Sequence, residues 1–195
     1  YHFNWGTNKL FTTTVGLIYQ GQSGSPYSLV YSGDVNGDNG TSNDLIFIPT
    51  DAQVDQMQFL GTDAYTAEQQ RANLKQWLAT TRYVKDHRGE YFERYGDNLP
   101  FESHFDFHFG QKFGIRTGKY VHALELTLDI MNVANLLNKD WGRTFSSGYN
   151  SEFVSPITYK GDGVFQFANP SDMPLKYPSS YYSRWRGQIG LKYTF

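Results

Sequence analysis

The sequence predicts an all-β fold, an antiparallel transmembrane β-barrel segment with a long helix-containing external loop, and three features lead there. The last eleven residues, Trp185-Arg186-Gly187-Gln188-Ile189-Gly190-Leu191-Lys192-Tyr193-Thr194-Phe195, alternate apolar or aromatic groups with polar ones and stop on phenylalanine. A period of two sets one face against lipid and the other against a polar interior, and about eleven residues is the length a tilted strand needs to cross a bilayer. Composition adds a second feature: 15 Tyr, 15 Phe and 4 Trp make the chain 17% aromatic, yet its mean hydropathy is −0.56. A wet lumen and wet loops joined to an apolar outer band with aromatic girdles produce that combination, although a sandwich lectin shares it. The third feature is the strict alternation of short and long links between strands, as in hairpins that cross a membrane.

Each strand follows from its pattern. Near residues 10–20, Phe11, Val15, Leu17 and Tyr19 oppose Thr12, Thr14 and Gln20. Near 103–116, Phe105, Phe107, Phe109, Phe113 and Ile115 oppose His104, Asp106, His108, Lys112 and Arg116. Near 120–132, Leu124, Leu126, Leu128 and Ile130 oppose Glu125, Thr127 and Asp129, and the terminal strand covers 184–195. Thr117-Gly118-Lys119 and Gly6-Thr7-Asn8-Lys9 are tight turns, the latter preceded by alternating Tyr1, Phe3 and Trp5. The long links run roughly over 33–102 and 134–183. The first holds a helix, opened by the capping box Thr66-Ala67-Glu68-Gln69 and continued by Leu74, Trp77 and Leu78. The second is rich in Gly, Ser, Pro and Tyr, with short strands expected at Ile157-Thr158-Tyr159 and Val164-Phe165-Gln166-Phe167. Four spanning strands and the tail of a fifth fall short of the roughly eight that close the smallest barrels. The expectation is therefore the end of a larger barrel, with the plug and amino-terminal domains elsewhere.

Composition excludes several classes. No run of eighteen apolar residues exists, so a membrane helix is not expected. Tyr1-His2-Phe3-Asn4-Trp5 has neither the basic start nor the apolar stretch of a signal peptide, and residues are expected to precede it. The absence of cysteine removes disulfides and thiolate metal sites, and a net charge of −2 offers no basic excess for nucleic acid. No nucleophile, base and orienting group stand at a recognisable spacing, and no glycine-rich phosphate loop follows a strand, so no catalytic residue is assigned and an enzyme is not expected.

A resemblance sharpens this picture. Gly24-Ser25-Pro26-Tyr27-Ser28, Gly33-Asp34-Val35-Asn36-Gly37-Asp38, Asn43-Asp44-Leu45-Ile46-Phe47-Ile48-Pro49, His87-Arg88-Gly89-Glu90-Tyr91, Glu93-Arg94-Tyr95-Gly96, Asp129-Ile130-Met131-Asn132-Val133 and Asn135-Leu136-Leu137-Asn138-Lys139-Asp140-Trp141-Gly142 occur in that order over nearly the whole chain. Together they resemble the carboxy-terminal barrel region of TonB-dependent outer-membrane receptors, of the Oar-like Bacteroidota type with a carboxypeptidase-regulatory-like amino-terminal domain. Tyr95 stands where that family often has Asn. The resemblance implies a plugged barrel of about twenty-two strands in the outer membrane of a Gram-negative bacterium, driven by the TonB system and importing a peptide, glycan or chelate. It further implies lipid, lipopolysaccharide, the rest of the barrel and plug, and the barrel-assembly machinery as partners. A surface lipoprotein lid is left open, as is a structural role in an envelope complex. The alternative from another class is an extracellular β-sandwich that binds glycan.

Candidate site residues follow. Asp34, Asn36, Asp38 and Asp44 read first as an Asx-rich turn and second as calcium ligands, because Asn39 and Leu45 break the EF-hand pattern. His104, Asp106 and His108 share a face, but the histidines sit roughly 13 Å apart, too far for one ion. Asp106, His108, Lys112, Arg116, Glu125, Asp129, Arg184, Arg186 and Lys192 are expected to face the lumen. Phe195, Tyr193, Leu191 and Ile189 look like the assembly signal recognised by strand pairing. Among Tyr65, Trp77, Tyr83, Tyr91, Phe92 and Tyr95, which read first as the small core of a long loop, Trp77, Tyr83, Tyr91 and Tyr95 are the ligand-contact candidates. Trp141, Tyr181, Tyr182 and Trp185 read as interface anchors.

Overall fold

A computed structural model describes residues 1–146, 152–169 and 177–195. In chain order the elements are β1 (His2–Trp5), β2 (Phe11–Gln22), β3 (Pro26–Ser32), β4 (Phe47–Ile48), α1 (Asp51–Gln56), β5 (Gln58–Phe59), α2 (Ala67–Thr80), α3 (Arg82–Asp86), β6 (Glu90–Tyr91) and β7 (Asp97–Asn98). They continue with β8 (Glu102–Thr117), β9 (Tyr120–Met131), α4 (Val133–Leu137), β10 (Phe145–Ser146), β11 (Glu152–Gly161), β12 (Val164–Phe167), β13 (Tyr177–Pro178) and β14 (Arg186–Thr194). The protein is mostly β with predominantly antiparallel pairing, and among the described residues no helix is long and apolar enough to cross a membrane. It divides into two compact units, residues 1–23, 101–144 and 178–195 against residues 24–100 and 145–177.

The first unit is a five-stranded sheet in the order β1-β2-β8-β9-β14, antiparallel throughout. The strands expected near 10–20, 103–116, 120–132 and 184–195 are β2, β8, β9 and β14, the last beginning two residues later than expected. Neighbours β8 and β9 join through Gly118 and Lys119 between the paired Thr117 and Tyr120. Gly118 has φ +64 while Lys119 stays out of the left-handed region, the two-residue hairpin with glycine first whose twist suits the flanking strands. Both long links leave from the opposite end, where Gln22 pairs with Glu102 and Met131 pairs with Arg186.

Register turns the alternation of each strand into two continuous faces. Phe11, Val15 and Leu17 stand opposite Phe113, Phe109 and Phe107, and these in turn oppose Leu124, Leu128 and Ile130. Leu126 and Leu128 oppose Leu191 and Ile189. Polar residues interrupt this apolar face at Thr13 and Gln111, which are partners in the register, and near the hairpin end at His122, which stands opposite Ile115 with Nδ1 2.7 Å from the Tyr193 hydroxyl. Trp5 Nε1 donates to Thr13 Oγ1 at 2.9 Å, Thr13 donates to Gln111 Oε1 at 2.6 Å, and Gln111 Nε2 donates to the carbonyls of Thr12 and Lys112.

The second unit folds differently. Its main sheet has the order β5-β12-β11-β3-β7, with β11 parallel to β3 and β12 parallel to β5. Where the sequence suggests two external loops, the structure joins both links in one core: Leu29, Ile46, Ile48, Leu74 and Leu78 of the first pack with Phe153, Ile157 and Phe167 of the second. Helix α2 begins at the expected capping box, with Thr66 accepting from Gln69 N and the Gln69 side chain accepting from Thr66 N. The buried Gln70 joins three segments: its amide donates to the carbonyls of Leu60 and Tyr65 and accepts from Phe167 N at 2.8 Å. The strands expected at 157–159 and 164–167 fall within β11 and form β12. Two short pairs, β4 with β6 and β10 with β13, complete the described elements.

At one edge of this sheet Tyr27 donates to Asp97 Oδ2 at 2.8 Å, and Arg82 pairs with the same carboxylate. Burial, followed by the neighbouring Asp97, holds the Tyr27 phenol well above the usual tyrosine range. Burial also raises Tyr31 and Tyr83. The folded chain therefore keeps these protons more tightly than the unfolded chain does. That stability is whole below about pH 10 and is lost as pH climbs through the folded values. Amide exchange in β3 should accelerate above about pH 10, and Tyr27→Phe should flatten the response; exchange unaffected by alkali would contradict it.

Candidate functional site

The polar face of the first unit carries most of the charge that the sequence places on its strands. Continuous register sets Lys112 beside Glu125 and Glu125 beside Lys192, a row of alternating sign across β8, β9 and β14. His108 and Asp129 are also register partners, and His108 Nδ1 lies 2.6 Å from Asp129 Oδ1. Arg116 pairs with Val121 near the hairpin turn. Opposite charges side by side on adjacent strands favour one another modestly, by roughly 0.2–1 kcal/mol per pair. The larger consequence is a hydrated face, because so many ionisable groups cannot be withdrawn from water cheaply.

At the end where the long links leave, this face deepens into a cleft of about 420 Å³. Glu102, His104 and Asp106 line one side of it from β8, Met131 and Asn132 lie between, and Arg184 and Arg186 approach from the start of β14. Thr144 organises the β8 side, with its hydroxyl 3.1 Å from His104 Nε2 and 3.4 Å from Glu102 Oε2. Asn132 turns the chain out of β9 with φ 54. Its backbone N–H donates to Asp106 Oδ1 at 2.8 Å and its side chain donates to Gly142 O. Asn135 closes the same corner, donating to the carbonyls of Lys139 and Trp141 while accepting from Trp185 N at 3.3 Å. Among the described residues neither Arg184, Arg186 nor Asp106 forms an ion pair.

No protein-family model matches the chain, and no curated protein or solved structure matches it either.

The remaining candidates are distributed over both units. Asp34, Asn36, Asp38 and Asp44 do share a loop, but their oxygens are turned onto its own amides. Asp34 accepts from Gly37, Asp38 and Asn39, and Asp44 accepts from Val35 and Asn36. The Asp38 carboxyl is held below the ordinary range, first by the Gly40 N–H and then by Asn36 and Asn43. Among the described residues no three His, Asp or Glu side chains converge as a metal site. The loop thus has the hydrogen bonds of an Asx-rich turn, the first of the two readings of these residues.

The aromatic candidates separate by burial. Trp77 packs in the core with its ring 6.0 Å from Phe167, and Tyr83 lies between Phe92 and a stacked His87. Tyr91 and Tyr95 are exposed, the first edge-on to Phe47 and the second beneath Arg94. Tyr65 accepts from Asn169. In the first unit Trp141, Tyr181, Tyr182 and Trp185 are all exposed at the end with the long links, and Arg186 sits over the Tyr181 ring at 4.8 Å. Ile189, Leu191 and Tyr193 lie along β14, followed by the exposed Phe195 stacked on Tyr193.

Sequence reading did not mark Glu102, Asn132 or Thr144, three of the groups that build the cleft. The signal for Asn132 was present in the spacing Asn132, Asn135, Asn138 straight after an alternating strand, a pattern suited to a capped turn rather than a longer strand.

Proposed function

We propose that the first unit is a sector of a closed transmembrane β-barrel in a bacterial outer membrane, and that the chain forms wall and external loops of a TonB-dependent transporter for a nutrient. The observation that carries this reading is the bare apolar face. Leu17 is 65% exposed, Ile189 75% and Leu191 71%, and among the described residues the packed hydrophobic cluster lies in the second unit. Soluble proteins rarely leave a contiguous apolar surface of this kind uncovered.

Aromatic residues bound that surface at both ends, as girdles would. Trp5 stacks on Phe11 with Phe113 edge-on beside it at the end with the short turns, and Tyr19 packs on Phe105 at the other. From Phe11 to Tyr19 a strand rises about 27 Å, or roughly 20 Å along the membrane normal at the usual tilt, close to the ~25 Å apolar band of such barrels. Midway along this face the polar pair Thr13 and Gln111 is hydrogen-bonded, as hydrocarbon demands. Five strands are fewer than the roughly eight that close a barrel, so further strands of the same polypeptide are expected to complete it. In the usual orientation of such barrels the short turns, and Phe195 with them, face the periplasm, and the long links leave the sheet toward the outside. The ordered segments from Gly24-Ser25-Pro26 to Asp140-Trp141-Gly142 support the transporter family in particular. A soluble glycan-binding sandwich would need the same leucines and phenylalanines to face a dry core.

Density-gradient fractionation of cells that express the full-length protein tests this. It should band with the outer membrane, resist alkaline carbonate extraction, and migrate faster on gels before heating than after. Recovery in the soluble fraction without detergent would overturn the reading.

A further inference from the structure

The rim cleft contains both signs of charge on opposite sides, held apart by an intervening strand. Arg186 and Met131 are register partners. Asp106 lies one residue beyond the Phe107 and Ile130 pair, so Asp106, Met131 and Arg186 form a row across three adjacent strands. Two strand spacings separate the ends of that row by roughly 10 Å. One oxygen of Asp106 accepts the Asn132 N–H, which fixes the carboxylate while leaving its second oxygen available. Arg186 is steadied by Tyr181, whose hydroxyl takes Nη1 at 2.9 Å, and it keeps further N–H donors for another acceptor. Unlike the Lys75 and Asp55 or Arg88 and Asp51 pairs, these groups do not close on each other, and about 420 Å³ of cleft lies along them.

We propose that the cleft binds a short zwitterionic peptide, with its free ammonium on Asp106 beside Glu102 and its free carboxylate on Arg184 and Arg186. A peptide chain advances about 3.5 Å per residue, so two or three residues bridge the row, while a single amino acid is too short. The volume lies within the roughly 300–1,000 Å³ of small-molecule sites. Planar guanidinium groups suit a carboxylate through paired N–H donors. Met131, in the middle of the row, presents an adaptable apolar surface to the peptide's side chains and tolerates differences among them. Selection then depends on the two chain ends rather than on sequence. As cargo this peptide rests on the transporter reading above; as a ligand of the cleft it rests on the geometry of the first unit.

Calorimetric titration of the full-length protein in detergent with trialanine, N-acetyl-trialanine and trialanine amide decides the matter. The free peptide should bind at least tenfold tighter than either blocked form. Asp106→Asn, which keeps an acceptor for the Asn132 N–H, should erase the penalty for acetylation and leave the penalty for amidation. Arg186→Gln should do the reverse. Equal binding of the three peptides to the unmodified protein, or no binding of any, overturns the proposal without recourse to variants. End-dependent binding by a protein that fractionates outside the membrane would instead sink the transporter reading and leave the site standing.

Discussion

Leu126→Arg should cost about 2–4 kcal/mol of folding stability in a bilayer and should sharply reduce the amount of protein in the outer membrane. Leu126 lies in the middle of β9, between Gln111 of β8 and Leu191 of β14, on the apolar face. On the proposed lipid-facing side a guanidinium there would have no water within reach. The comparison is Gln188→Arg, one strand away but on the opposite face, where the new cation meets its register partner Asp129. That variant should accumulate normally. Unfolding in lipid vesicles by urea and the heat-modifiable gel band measure the two. Equal tolerance of both arginines would mean that the apolar face does not contact hydrocarbon.

The second large effect concerns the other unit. Phe167→Ala should destabilise it by about 3–5 kcal/mol, the usual cost of removing a buried aromatic ring. Phe167 belongs to β12 in the second link, yet its ring packs on Trp77 and its N–H is held by Gln70, both in α2 of the first. The loss should therefore appear as faster amide exchange in α2, some ninety residues away in sequence. Hydrogen exchange read by mass spectrometry follows both segments at once. Faster exchange confined to β11 and β12 would show that the two links do not share one cooperative core.

The long strands were legible in the sequence because each has one apolar and one polar face, and a period of two survives even with Thr13 and Gln111 out of place. Ile18 and Met131 break the pattern in the other direction, lying on the polar side as partners of Asp106 and Arg186. Helix α2 was legible from its capping box. Strand β3 was not, because Tyr27 through Tyr31 are all buried and a strand covered on both faces has no alternation to detect. Its parallel pairing with β11, more than a hundred residues away, is a long-range fact that no local pattern encodes. The same holds for the cleft. Asp106 and Arg186 were expected on the wet face, but their alignment across Met131 depends on the relative registers of three strands.

The hydrogen-bonded pair on the oily side has a use beyond satisfying itself. A misalignment of β2 against β8 by two residues would keep every phenylalanine pointing outward, so hydrophobicity alone cannot proofread it. Such an error would put Thr13 opposite Phe109 or Phe113 and, in the proposed membrane setting, would strand a hydroxyl and a carboxamide in a medium that offers no hydrogen bonds, at roughly 2–7 kcal/mol for each group. In that setting Thr13 and Gln111 would act as a key that favours one alignment, in a sheet whose repeated phenylalanines would otherwise accept several.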